Sequence, residues 1–135
     1  MDEGLIQVQA LATRIACQRM TARHLKAVRD SVEQAFCLPA RSQWDLKAAA
    51  HAEIFHLLAD VADDPVVAAI LSGGTGLMHD LMTAVGPAAD GMIASSRRRL
   101  LAHLRAGDAD EAALEMEKHL RGLHYMWRLT RCSSR

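Results

Sequence analysis

The stretch IASSRRRLLAHLRAGDADEAALEMEKHL, residues 93–120, decides the fold. Apolar residues recur in it every three or four positions, the spacing of an amphipathic helix. Gly107-Asp108 interrupts the run. Glycine is the usual way out of a helix and aspartate a common way into the next. The stretch therefore reads as helix, tight turn, helix, two neighbours in an antiparallel bundle. It also holds a conflict. At 100° per residue, Ile93, Arg97, Leu100 and Leu104 fall within about 60° of one another. Arg97 thus lies in the apolar stripe, whereas Arg98 and Arg105 fall on the opposite side and Arg99 on the flank. The next helix repeats the oddity. Its stripe is Ala112, Met116, Leu120, Leu123 and Trp127, with His119 inside it and His124 at the opposite edge.

Working outward, the same period covers nearly the whole chain. Leu5, Val8, Ala12 and Ile15 predict a first helix over residues 3–18. Thr21 is placed as the N-cap of a second, whose stripe Leu25, Val28, Val32 and Phe36 ends before Pro39. A third is expected over residues 43–62 on the stripe Leu46, Ala50, Ile54, Leu57 and Val61. Asp64 as N-cap with Pro65 at the first helical position opens a fourth. Ser72-Gly-Gly-Thr-Gly76 is expected to break or kink it, since each glycine costs a helix about 1 kcal/mol. A phosphate loop is the other reading of that segment, but no strand precedes it and no Gly-Lys-Ser/Thr follows. Gly86-Pro87 opens a fifth helix to about residue 106, and Asp108 caps a sixth to about residue 130. The expected architecture is all-α, an antiparallel bundle of about six helices around a central ligand pocket. One domain is expected over residues 1–130, with a frayed tail at 131–135 and no winged helix-turn-helix.

Composition fits that architecture. The chain has 135 residues, half of them apolar, with few aromatics and three prolines. Sixteen basic and sixteen acidic residues cancel, so nothing marks the chain as a polyanion binder. Three cysteines, Cys17, Cys37 and Cys132, have no metal-type spacing and suggest a reducing, cytoplasmic setting. The N-terminus lacks the apolar core of a signal peptide, and no uninterrupted apolar run approaches the roughly 20 residues of a membrane helix. No membrane association is expected.

A buried guanidinium costs several kcal/mol unless it is paired. Two readings of Arg97 follow. In one, Glu53, Asp60 or Glu115 forms an interior ion pair with it. In the other, the guanidinium holds an anionic ligand in a forked grip, helped by imidazoles. His56 shares a face with Ala49, Glu53 and Asp60, beside the apolar stripe of its helix. Taken singly, His56 and His119 read more readily as core histidines than as ligands, and the methionines as core filling. Glu53-Ile-Phe-His56 is a Glu-x-x-His, which di-iron bundles use twice; it occurs here once. No Ser/His/Asp or Cys/His pair follows from spacing.

Three segments then carry a resemblance. LATRIACQRMT (11–21), AEIFHLLADVADDP (52–65) and LLAHLRAGDADEAALEMEKHL (100–120) stand in the order and spacing of the FCD domain. That is the C-terminal effector-binding domain of the FadR subfamily of GntR transcription regulators. The resemblance spans roughly residues 5–125 and implies six or seven helices around a pocket. In many members one Asp and three His hold a divalent metal that binds a small carboxylate effector. Matched residue by residue, the Asp position is Ala52, the first His is His56, the second is Arg97 and the third is His119. Two of the four cannot ligate. A fixed positive charge also opposes a dication, by several kcal/mol at about 4 Å. The expectation is therefore no functional metal and no cofactor, with at most a weak divalent ion at His56 and His119. Arg97 would pair directly with a small carboxylate or other anionic metabolite, helped by His56, His119 and Glu53. The family further implies a homodimer that meets DNA only through a separate N-terminal domain. The alternatives are a ligand-free dimerisation module with a degenerate pocket, or a small helical enzyme using His56, His119 and Glu53 as acid–base groups.

Overall fold

The structure, a computed structural model, describes residues 3–133. They form seven α-helices and no strand: α1 (Glu3–Gln18), α2 (Ala22–Cys37), α3 (Trp44–Ala52), α4 (Ile54–Ala62), α5 (Pro65–Val85), α6 (Asp90–Ala106) and α7 (Ala109–Ser133). Local chemistry sets most boundaries. Thr21 accepts the His24 N–H while His24 Nδ1 accepts the Thr21 N–H, a reciprocal cap at the start of α2. Asp64 Oδ1 accepts the N–H groups of Val66 and Val67, at 2.9 and 3.1 Å, ahead of Pro65. Gly107 takes the left-handed conformation, φ 69°, that ends α6, and Asp108 caps α7 through the Glu111 N–H at 3.2 Å.

Four expectations change. The third helix is broken at Glu53 into α3 and α4, so the bundle has seven helices. The Ser72–Gly76 segment does not break α5, which runs unbroken for 21 residues. Propensity is overridden there by packing: a Cβ on Gly74 would stand 2.9 Å from Phe55 Cδ1 and 3.0 Å from Gln9 Oε1. The absent side chain lets α4 and α1 approach α5 closely. A 3₁₀ turn, Pro87–Ala89, precedes α6, which starts at Asp90. Helix α7 continues through Ser133 rather than ending near residue 130. The last two residues of the expected tail lie outside the described residues.

Helix α5 touches α1, α3, α4 and α7, while α1 and α6 both lie along α7. Phe55, Leu58, Leu71, Met78, Met82, Ile93, Leu100, Met116, Leu120 and Leu123 fill the interior between them. By length and composition α5 is apolar enough to cross a membrane, which its glycines, His79 and Asp80 had hidden from a search for uninterrupted apolar runs. In the bundle it packs against four other helices, α1, α3, α4 and α7.

Candidate functional site: a polar cluster in the bundle interior

The three adjacent arginines of α6 meet three different fates. Arg98 is exposed and lies over the Phe36 ring, 4.9 Å from its centroid. Arg99 reaches back along the surface to Glu115, with Nε–Oε1 at 2.7 Å. Arg97 is 1% exposed. It shares the buried face of α6 with Ile93, Ser96, Leu100 and Leu104, as the helical period requires.

Its surroundings leave the guanidinium nearly alone. Nη2 donates to the backbone carbonyl of His51 at 2.9 Å, while Nε and Nη1 have no hydrogen-bond partner in the protein. The Phe55 ring lies 6.0 Å away. None of the three expected carboxylates pairs with it. Glu53 and Asp60 are exposed. Glu115 is buried, but its oxygens accept from Ser96 Oγ at 3.0 Å and from Arg99. Desolvation pushes the Arg97 pKa down to about 10, and the field of Glu115 opposes that only in part. Arg97 thus remains a cation at neutral pH.

Two imidazoles complete the cluster. His119 on α7 is 2% exposed, as its place in the apolar stripe predicts, and His51 on α3 is 1% exposed. Neither ring has a hydrogen-bond partner for either nitrogen. Burial and then the charge of Arg97 push His51 down to about 3 and His119 well below its usual value. Both are neutral, and each ring offers one N–H donor and one acceptor. His51 Nε2 lies 4.0 Å from Asp90 Oδ1, which is 3.4 Å from Lys47 Nζ. Lys47 is itself buried and donates to the Leu38 carbonyl at 2.7 Å. The polar cluster therefore runs from half-buried Asp90 at the start of α6 inward to Arg97 and His119.

His56 and Glu53, both expected at the site, are exposed and turned away from it. Of the expected stripe, Ile54 and Val61 are buried but Leu46 is 59% exposed; in α3 the buried face runs instead through Trp44, Ala48 and His51, and it continues in α4 through Phe55, Leu58 and Ala62. His51 therefore occupies the interior position that the resemblance implied for His56, which spacing alone had put beside the apolar stripe. The signal was present, because His51 stands four residues before Phe55 and seven after Trp44. The alanine-rich segment around it gave the competing stripes little contrast.

Arg97, His51 and His119 are 1%, 1% and 2% exposed, so the inner end of the cluster is closed to solvent, while Asp90 at its outer end is half-buried. Clefts on the surface lie elsewhere, one bounded by Glu3, Ile6, Arg121, His124, Tyr125 and Arg128, another by Trp127, Arg128, Arg131 and Cys132. Neither includes Arg97, His51 or His119.

With this geometry in view, the comparison with known families is decisive. The family model of the FCD domain matches residues 5–122. The chain belongs to the FCD domain family. No curated protein and no solved structure matches it. The FCD domain is the effector-binding regulatory domain of GntR-family regulators, which respond to small metabolites. The metal that the resemblance implies does not fit this member's residues. Ala52 is buried and has no donor atom, His56 faces outward, and Arg97 is cationic. Among the described residues no three His, Cys, Asp or Glu side chains come together as a metal site.

Proposed function

We propose that this FCD domain senses a small anionic metabolite, a carboxylate being the simplest, held by Arg97 in the bundle interior. The observation that carries the reading is a guanidinium 1% exposed whose Nε and Nη1 have no partner in the protein. A fixed cation stands where other family members place a metal ligand, so its charge substitutes for the ion and no divalent metal takes part. His51 and His119, neutral and unpartnered, add hydrogen bonds that a carboxylate or a neighbouring hydroxyl satisfies. In the cell the domain works as a cytoplasmic homodimer, and ligand binding biases helix packing and thereby the spacing of two attached DNA-binding domains.

The test is ligand-induced stabilisation across a panel of small carboxylates and phosphates. A ligand at a hundred times its Kd raises stability by about 2.7 kcal/mol. At least one panel member should do this for the natural chain and not for Arg97→Met. Equal stabilisation of both would overturn the proposal.

A further inference from the structure

The break between α3 and α4 has no cause in its own sequence. Residues 50–56 read AHAEIFH, with neither proline nor glycine and with good helix formers at several positions. Interruptions in helices trace to proline, to glycine, or to a side chain or water inserted into the hydrogen-bond ladder. Here a side chain enters the ladder at the break. The Glu53 N–H bonds the Ala50 carbonyl at 3.3 Å and the His56 N–H bonds the Glu53 carbonyl at 3.1 Å, each one residue short of the α-helical step. In an unbroken helix the His51 carbonyl would accept the Phe55 N–H. Instead it accepts Arg97 Nη2, at 2.9 Å. Glu53 itself has φ −60° and ψ −23°, so closing the break needs only a small change in torsion.

We infer that Arg97 is the wedge that holds α3 and α4 apart, and that the two join into one helix when an anion draws the guanidinium off the His51 carbonyl. The competition favours the anion. Both bonds are charge-assisted by the guanidinium, but an anion brings an ionised acceptor as well and can take two parallel N–H bonds where the carbonyl takes one. Nη2 carries two hydrogens, one on each edge of the guanidinium that includes it, so a forked grip displaces His51 when it takes the edge whose Nη2 hydrogen that carbonyl holds. The released carbonyl then returns to the Phe55 N–H. Helix α4 packs on α5 and α1, and α1 on α7, so a shift at the break reaches the length of the bundle. The wedge stands on the geometry alone, whereas its release by an anion rests on the proposed function.

Amide hydrogen exchange followed by NMR on the whole chain tests both halves. The Phe55 amide should become at least about tenfold better protected in Arg97→Met than in the natural chain. The same rise should follow when phosphate or citrate saturates the natural chain, with no further change when either is added to the variant. An unchanged or less protected Phe55 amide in Arg97→Met overturns the wedge. Anion binding that leaves Phe55 unchanged in the natural chain overturns the coupling while the anion site stands. A healed ladder in the variant, with neither anion binding the natural chain, supports the wedge and overturns its release by anions. Should Arg97→Met fail to fold, the through-bond coupling between Arg97 Nη2 and the His51 carbonyl carbon decides for the natural chain, and its absence overturns the wedge.

Discussion

Replacing Arg97 by methionine should make the domain more stable while abolishing its response to anions. Methionine keeps most of the length of the arginine stem and removes the charge. A guanidinium whose pKa is pushed down to about 10, chiefly by desolvation, carries a net penalty of about 3 kcal/mol in its charged form. The His51 carbonyl loses its arginine partner but regains the Phe55 N–H, an exchange close to neutral. Glu115 keeps Ser96 and Arg99, so no second buried charge is orphaned. Replacing a buried ion with an apolar side chain of similar volume is often neutral or stabilising. The expected change is therefore between zero and about 3 kcal/mol of added stability, or up to roughly 10 °C in Tm for a domain of this size. Urea unfolding at pH 7, followed by far-ultraviolet circular dichroism, measures it, with the slope unchanged. A loss of more than about 1 kcal/mol would refute the reasoning, because it would mean that the charge is already compensated inside the protein.

Acid should destabilise the domain through its buried histidines. His51 titrates near 3 in the fold and near 6.5 when unfolded, so its contribution is complete above pH 6.5 and is lost as the pH falls toward 3. Between pH 7 and pH 5 this alone removes about 2 kcal/mol; His119 acts in the same direction. Unfolding curves at the two pH values should differ less in His51→Gln, and an equal difference would contradict this assignment. Gly74→Ala should cost about 1–3 kcal/mol through its contacts with Phe55 and Gln9, whereas Gly73→Ala and Gly76→Ala, with open space at the new Cβ, should gain about 0.5–1 kcal/mol. Thermal melts of the three variants check the order. Zinc or nickel added to untagged protein should bind neither stoichiometrically nor tightly, as measured by calorimetry, and a tight one-to-one site at His51 or His119 would exclude the anion reading.

What the sequence made legible was whatever depends on neighbours in the chain. Thr21, Asp64-Pro65 and Gly107-Asp108 mark helix boundaries because a cap is made within three residues. The inward position of Arg97 and His119 followed from spacing, since their helices carry large apolar residues that fix the phase. In Lys47–Ala52 the alanines fix no phase, and the Phe-His pair drew attention to His56 instead of His51. The break at Glu53 was out of reach for another reason. The group that enters the ladder belongs to a residue 46 positions beyond His51. Likewise, Gly74 looked like a helix breaker because its packing partners, Gln9 and Phe55, come from other helices.

The claim that a lone interior guanidinium receives an anion is tested most directly at its own nitrogen. In an arginine-labelled NMR spectrum, the Nε–H signal of Arg97, assigned by its disappearance in Arg97→Met, should shift and saturate as a small carboxylate or phosphate is titrated in. Exposed arginines such as Arg98 should respond only weakly and without saturation. An Arg97 signal that stays fixed across the panel, while the exposed arginines shift as much or more, would contradict the account.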